Sequence, residues 1–193
     1  MASGNAGKLA EIRRLLDGLA VEVIAQSELG VTDAEETGST FAENSLLKAR
    51  HAADATGLPA IADDSGIAVD ALDGRPGVYS ARYAGANATD DQNLDKLLED
   101  MADVRDEDRG AAFHCVATYV VPGEADALVA EGIWRGSLLR ARDGDGGFGY
   151  DPIFLDPESG LSSAQLTPQQ KNARSHRGQA LRALVRQLEQ RYE

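Results

Sequence analysis

Two adjacent carboxylates after a short apolar stretch are the residues of this sequence best suited to chemistry. Residues 60–62 have the pattern of a buried strand, and Asp63-Asp64-Ser65-Gly66 follow directly. Ligands of α/β proteins bind at the carboxyl ends of strands. Neighbouring acids are costly to bury without a cation or a basic partner, and Mg²⁺ shared with substrate phosphates would offset that cost. Because Asp-Ser-Gly also suits a turn, a strand that ends in solvated acids is an equal alternative.

A glycine-containing segment, Ser3-Gly4-Asn5-Ala6-Gly7-Lys8, lies where a first strand would turn into a first helix. Small residues let the backbone approach a ligand, and a helix N-terminus offers free N–H groups to an anion. The spacing of a P-loop is missing. From these residues alone, an ordinary strand–helix turn is the favoured interpretation.

Asn44 and Lys48 are four residues apart in a predicted helix, so they share one face of it. Glu35 and Glu36 lie upstream, in the loop that leads into this helix. A lysine in the middle of a helix is normally solvated. Its proximity in sequence to two acidic clusters is what makes Lys48 a candidate for the site.

The segment 144–152 combines four glycines with two aromatic residues. Glycine costs backbone entropy on folding, so this density calls for a compensating reason. Phe148 and Tyr150 could stack on a flat ring while Asp151 accepts hydrogen bonds from its edge; the alternative is a flexible hairpin. Further along, the pair 176–177, His and Arg, could donate to carbonyl or phosphate oxygens.

Hydrophobic periodicity and capping residues predict the elements that must position these side chains. Helices are expected at 6–19, 40–57, from 89 to about 101, from 167 and at 176–192. Strands are expected at 21–25, 60–62, 67–71, 111–121, 127–135, 137–142 and 153–155, with a hairpin at Pro122-Gly123. Early alternation of helices and strands, followed by clustered antiparallel strands, predicts an α/β fold with a mixed sheet and a second lobe.

Composition limits the class of protein. The 193 residues predict one domain, 1–193, and no apolar run approaches the roughly 18 residues of a membrane span. Residues 1–5 do not look like a signal peptide and Cys115 is the single cysteine, so we expect a cytoplasmic protein without a membrane partner. Acidic residues outnumber basic ones by 32 to 19, which argues against nucleic-acid binding.

The order of the motifs closely resembles the inosine triphosphate pyrophosphatase family, whose bacterial type acts on dITP and XTP. The resemblance covers nearly the whole chain. Seven motifs in register carry it: Ser3–Lys8, Glu35–Gly38, Thr40–Asn44, Asp63–Gly66, Gly74–Tyr83, Phe148–Asp151 and Ser175–Arg177.

That resemblance implies a two-lobed α/β fold, with a long central mixed sheet flanked by helices and the active site in the cleft between the lobes. It also implies a homodimer. The implied reaction is Mg²⁺-dependent hydrolysis of the nucleoside triphosphates ITP, dITP and XTP to the monophosphate and pyrophosphate. Such an enzyme removes noncanonical purines from the nucleotide pool.

Carried over residue by residue, the family pattern implies that Asp64 is the proton acceptor and a metal ligand, with Glu35 as second metal ligand. The implied substrate-binding residues are Ser3, Gly4, Asn5, Ala6, Gly7, Lys8, Asn44, Lys48, Ser65, Phe148, Gly149, Tyr150, Asp151, Lys171, His176 and Arg177. Among these, Ser3–Lys8 match the triphosphate loop, and His176 and Arg177 are expected to donate to the 6-oxo edge of the base.

Two other functions remain open at this level. One is a pyrophosphatase for pyrimidine nucleotides, as in the related Maf-like proteins. The other is a nucleotide-binding sensor without turnover. Asp63 and Asp64 argue against the sensor, since a protein that only binds phosphate gains little from additional negative charge.

Overall fold

Among the described residues, four strands form an antiparallel sheet in the order β1-β2-β3-β4. The structure is a computed structural model that describes residues 1–2, 8–9, 12–13, 16 and 21–192. The strands are β1 (Ala60–Val69), β2 (Gly110–Val120), β3 (Ala127–Leu138) and β4 (Phe154–Leu155). The turn at Pro122-Gly123 separates the adjacent strands β2 and β3, as predicted, and β3 pairs with β4 through Ser137 and Leu155.

The described residues from 21 onward contain four α-helices, and three of them begin directly after a threonine that the sequence marks as a cap. The four are α1 (Phe41–Thr56), α2 (Asp90–Asp100), α3 (Pro168–Arg174) and α4 (His176–Tyr192). The hydroxyls of Thr40, Thr89 and Thr167 each accept a hydrogen bond from the backbone N–H three residues later, which closes a capping box. The α/β fold class and these four helices are therefore confirmed.

The chain divides into two compact units, each with a core of its own. Unit 1 comprises Met1–Asp64, Cys115–Gly132 and His176–Glu193, and unit 2 comprises Ser65–His114 and Ile133–Ser175. The core of unit 1 includes Ile12, Cys115, Ala117, Leu181 and Leu184, and that of unit 2 includes Ile67, Leu94, Leu97, Trp134 and Phe154.

Three predictions about strands were wrong. The acids at 63 and 64 do not end a strand, because β1 runs continuously from Ala60 to Val69. The expected break near Gly136 is also missing, and β3 continues to Leu138. Residues 21–25 lie outside the strands, although the Met1 amino group donates to the Ile24 carbonyl at 2.8 Å. The predicted helix 6–19 lies largely outside the described residues.

Within the described part of the chain, no helix combines the length and the apolar character needed to cross a membrane.

Candidate active site

The two adjacent acids of β1 are both buried, Asp63 at 1% and Asp64 at 7% exposure. Successive side chains of a strand point to opposite faces of the sheet. Their partners differ accordingly, and each carboxylate has basic or amide donors of its own. Each acid therefore has direct donors of its own, which offsets much of the repulsion expected for neighbouring acids.

Asp63 is bound by two cations within unit 1. Its Oδ2 lies 2.9 Å from Lys8 Nζ and 3.3 Å from Arg177 Nε, and the Arg177 side chain is only 4% exposed. Burial alone would raise the pKa of Asp63, but the Lys8 ammonium and the Arg177 guanidinium outweigh burial and hold that pKa well below its ordinary value. Asp63 is therefore charged, and it anchors the start of α4.

Asp64 receives one hydrogen bond on each carboxylate oxygen. Lys48 Nζ donates to Oδ1 at 2.8 Å, and Asn44 Nδ2 donates to Oδ2 at 3.2 Å. Burial raises the pKa of Asp64 above its ordinary value, in spite of the nearby Lys48 ammonium. A carboxylate with a raised pKa is a stronger base, so Asp64 is suited to accept a proton from water.

Lys48 links Asp64 to the acidic loop (residues 31–39). Its Nζ also donates to Glu36 Oε1 at 2.8 Å. Burial lowers the pKa of Lys48, but the Asp64 and Glu36 carboxylates outweigh burial and hold this pKa above its ordinary value. The ammonium therefore stays charged. Glu35, the residue expected to bind metal, is exposed, and Glu36 is the acid that the structure brings to Lys48.

Asn44 is fully buried and uses both ends of its amide. Its Nδ2 donates to Asp64, and its Oδ1 accepts the Gly38 N–H at 2.8 Å. A Cβ at residue 38 would lie 2.6 Å from Asn44 Oδ1, so only glycine allows this approach. Asn44 therefore fixes Asp64 and the acidic loop together. Its expected contact with substrate stays a prediction.

Two further contacts hold the acidic loop against α1. His51 Nε2 lies 2.9 Å from the carbonyl oxygen of Thr32, and Glu43 accepts the Ser39 N–H at 2.7 Å. His51 is one turn beyond Lys48, so the helix that supplies the ammonium also positions the loop that carries Glu36.

The glycine-rich loop (residues 143–151) belongs to unit 2 and is organised by Asp151. This carboxylate is 3% exposed; its Oδ2 accepts the Phe148 N–H at 2.8 Å and a hydrogen bond from Lys171, and its Oδ1 accepts the Ser163 hydroxyl at 2.7 Å. Asp151 thus holds the loop. Neighbouring donors contact both of its oxygens, and the expectation that Asp151 accepts hydrogen bonds from the edge of a bound ring stays a prediction.

Close packing explains one of the glycines in this loop. A Cβ at Gly147 would lie 2.1 Å from Asp151 Oδ2, and φ at this residue is +77°. Tyr150 is also buried, at 6% exposure, and its hydroxyl donates to the Ser80 carbonyl at 2.8 Å. The Tyr150 ring thus belongs to the core of unit 2, and its stacking on a ligand stays a prediction.

Phe148 is the aromatic ring of this loop that remains accessible, at 38% exposure. Lys171 Nζ lies 5.0 Å from its ring centroid, within range of a cation–π interaction. An accessible ring beside a cation can stack on a planar, electron-rich group. Phe148 and Lys171 therefore remain the candidates for holding a nucleobase.

The other predicted residues have definite places. Lys8 and Arg177 meet at Asp63, His176 is buried at the start of α4, and Ser65 is half-buried in β1. Gly149 donates its N–H to Asp90. The remaining residues of the predicted triphosphate loop, Ser3, Gly4, Asn5, Ala6 and Gly7, lie outside the described residues.

Sequence reasoning missed the parts played by Glu36, Gly38 and Ser163. The signal for Glu36 was present, since it is adjacent to Glu35 in the same motif. Ser163 had no local signal, because its partner Asp151 is 12 residues away along the chain.

The carboxylate oxygens around Lys48 suit a hard divalent cation. Oxygens of Asp64 and Glu36 each lie 2.8 Å from the same ammonium, so two carboxylates already converge on one positive charge. Among the described residues, no group of three or more His, Cys, Asp or Glu side chains is placed to hold a metal. Mg²⁺ fits such a site, because one or two carboxylates suffice when substrate phosphates complete its coordination.

Comparisons with known proteins show which proteins this chain is similar to. Residues 1–187 match the model of the Ham1 family. A dITP/XTP pyrophosphatase of Pectobacterium atrosepticum is 60% identical over 96% of this chain and 94% of its own length. Its counterpart in Escherichia coli K12 is 56% identical with the same coverage.

Solved structures of other proteins are similar to this chain over nearly its whole length. A HAM1 protein from Coxiella burnetii has a TM-score of 0.91 and 50% identity, covering 97% of this chain and 96% of its own. A nucleoside-triphosphatase/dITP/XTP pyrophosphatase from Mycobacterium abscessus has a TM-score of 0.76 and 46% identity, with 95% and 96% coverage.

Replacement of Asn44 by Asp tests the double role of its amide. The variant keeps an acceptor for Gly38 but loses the donor to Asp64 and adds a third acid, so we expect unfolding free energy to fall by about 1–3 kcal/mol in urea. Turnover should fall as well. Asn93→Asp is the matched control, since Asn93 is also buried and bonds to Ala81 and Ala84 in unit 2. Equal loss of turnover in both variants would contradict the assignment.

Replacement of Asp63 by Asn removes the carboxylate that pairs with Lys8 and Arg177. Breaking a buried pair leaves an uncompensated charge, so we expect a loss of about 3 kcal/mol at pH 7 in urea unfolding. Because the folded-state pKa is lowered, this stabilisation is present above the unfolded pKa of about 3.9 and is lost as pH falls below it. The difference in unfolding free energy between wild type and Asp63→Asn should therefore become smaller below about pH 4. Asp54→Asn, at an exposed residue, serves as the control. A difference in unfolding free energy that stays constant with pH would contradict the link between the Asp63 pKa and stability.

Proposed function

The chain belongs to the Ham1 family, and from this premise we propose that it hydrolyses ITP, dITP and XTP to the monophosphate and pyrophosphate. Membership confirms the family resemblance predicted from the order of the motifs. The observation that carries the proposal is the buried Asp64, held by Lys48 and Asn44 beside the acidic loop. The 56–60% identity to proteins named dITP/XTP pyrophosphatase supports the substrate class.

In the proposed mechanism, Asp64 accepts a proton from the water that attacks the α-phosphorus. Its raised pKa favours proton transfer, and the two hydrogen bonds fix the orientation of its carboxylate. Lys48 remains charged, so its ammonium offsets negative charge on the substrate phosphates. Asp63 holds Lys8 and Arg177 on the opposite face of the same strand.

Mg²⁺ is the proposed cofactor, with Asp64 and Glu36 as the carboxylates that would hold it and Glu35 as the neighbouring acid of the loop. When bound, the ion would neutralise charge on the departing pyrophosphate. Lys48, which now lies between these carboxylates, would then be available to the phosphates.

Recognition of the base is assigned to unit 2, where Phe148 offers its ring and Lys171 a cation. A donor that pairs with the 6-oxo group of hypoxanthine or xanthine is left opposite an amine when adenine binds. Such a mismatch can discriminate between the two bases by about 10⁴.

We further propose a homodimer that acts in the cytoplasm, where the nucleoside triphosphate pool lies. Light scattering of the purified protein measures its mass.

Pyrophosphate release from ITP tests the proposed activity. We expect Mg²⁺-dependent turnover of ITP, dITP and XTP, with ATP far slower, and a loss of about 100-fold or more in Asp64→Asn. Circular dichroism checks that this variant is folded. Faster turnover of dTTP or UTP would favour a pyrimidine pyrophosphatase, and ITP binding without turnover would identify a sensor. Near-normal turnover in Asp64→Asn would remove this residue from the mechanism.

Paired substitutions in the acidic loop test the proposed ligands. Glu36→Gln should raise the Mg²⁺ concentration needed for half-maximal turnover by about tenfold, because a carboxylate ligand is lost. The matched variant Glu35→Gln alters the exposed neighbour and should have a smaller effect. A larger effect in Glu35→Gln would assign the metal to that residue instead. Calorimetric titration with Mg²⁺ alone gives the same comparison without turnover.

A further inference from the structure

The first turns of helix α2 contact the glycine-rich loop and the residue just before it. Asp90 Oδ2 accepts the N–H of Gly149 at 3.0 Å. Arg142 donates to Asp91 Oδ1 at 2.6 Å and to Asp95 Oδ1 at 2.7 Å. Three carboxylates of one helix therefore fix the chain immediately before the loop and near its end.

Helix α2 is a firm support for these contacts. Its N-terminus is closed by the capping box between Thr89 and Gln92, and Leu94 and Leu97 are buried in the core of unit 2 at 1% and 0% exposure. Asp90 therefore extends from an element whose position is set by packing.

Residues 162–165 hold the loop at further points. The Gly146 N–H donates to the Ala164 carbonyl at 3.2 Å, and Gln165 Nε2 donates to Asp143 Oδ1 at 2.9 Å. A segment with four glycines has much backbone freedom to lose on folding. These contacts remove that freedom before any ligand binds.

The backbone on both sides of the Phe148 Cα is fixed by a carboxylate. The N–H of Phe148 donates to Asp151 Oδ2 at 2.8 Å, and the next N–H, that of Gly149, donates to Asp90 Oδ2 at 3.0 Å. Two successive peptide groups are thus oriented, and they determine where the accessible Phe148 ring lies. Asp151 supplies one of these contacts from within the loop, whereas Asp90 supplies the other from outside it.

We propose that Asp90 is a positioning residue for recognition of the purine base. By holding the Gly149 N–H, it fixes the backbone that presents the Phe148 ring, so that the ring is in place before the nucleotide arrives. This inference rests on the proposed hydrolysis of keto-purine triphosphates. Asp90 acts through Gly149 and Phe148, and the chemistry at Asp64 does not involve it.

The expected signature is in binding. An exposed hydrogen bond adds little to global stability. Preordering a loop, in contrast, lowers the cost of binding, and losing it weakens affinity. Removing the Asp90 carboxylate should therefore change KM and leave kcat and the melting temperature nearly unaltered.

Steady-state kinetics with ITP on three variants test this. Asp90→Ala should raise KM by about fivefold to tenfold with kcat within about twofold of wild type. Asp90→Asn keeps an acceptor oxygen for Gly149 and should stay within about twofold of wild type. Glu99→Ala, an exposed acid on the same helix, is the control and should match wild type. Thermal unfolding of each variant checks that the fold persists.

Amide hydrogen exchange of the nucleotide-free protein provides a readout that does not need activity. The peptide containing Phe148 and Gly149 should exchange faster in Asp90→Ala and remain protected in Asp90→Asn. Unchanged KM and unchanged exchange in Asp90→Ala would overturn the inference. Equal defects in Asp90→Asn and Asp90→Ala would do so too, because helix charge and not the hydrogen bond would then be responsible. If wild type failed to hydrolyse ITP, the proposed function would fall, and the exchange result would still decide the role of Asp90.

Discussion

The separation of two adjacent acids onto opposite faces of β1 is the constraint on which the candidate site depends. Asp63 pairs with Lys8 and Arg177, while Asp64 pairs with Lys48 and Asn44. Each carboxylate is therefore buried with its own compensation, which is what makes burial of two neighbouring charges tolerable. Their pKa values consequently move in opposite directions, Asp63 downward and Asp64 upward. One acid serves the framework, and the other is left suited to proton transfer.

Local signals in the sequence predicted the helices well, because a capping box is made by residues three positions apart. Thr40, Thr89 and Thr167 each mark a helix start that the structure confirms. The strand through Asp63 and Asp64 was misjudged, because a run of acids and small residues suits a turn. The side-chain partners of its acids are distant residues, including Arg177, which is 114 positions from Asp63. No pattern within the strand could have indicated that partner.

The glycine-rich loop shows the same limit at the site itself. Its composition predicted that Phe148 and Tyr150 could both stack on a flat ring, and the structure leaves Phe148 accessible. Composition could not distinguish that ring from Tyr150, which donates to the carbonyl of Ser80, 70 residues away. Nor could it show that Asp151 is occupied by Ser163 and Lys171. Which member of a motif faces outward depends on contacts made after the chain has folded.

Lys48 has a consequence for the proposed Mg²⁺ site. Its ammonium bridges Asp64 and Glu36, so the charge of these acids is balanced by the polypeptide itself. Small zinc domains, in contrast, fold only once their metal is bound. Here the proposed ion would exchange with the Lys48 side chain, so the folded protein would persist where the divalent ion is depleted.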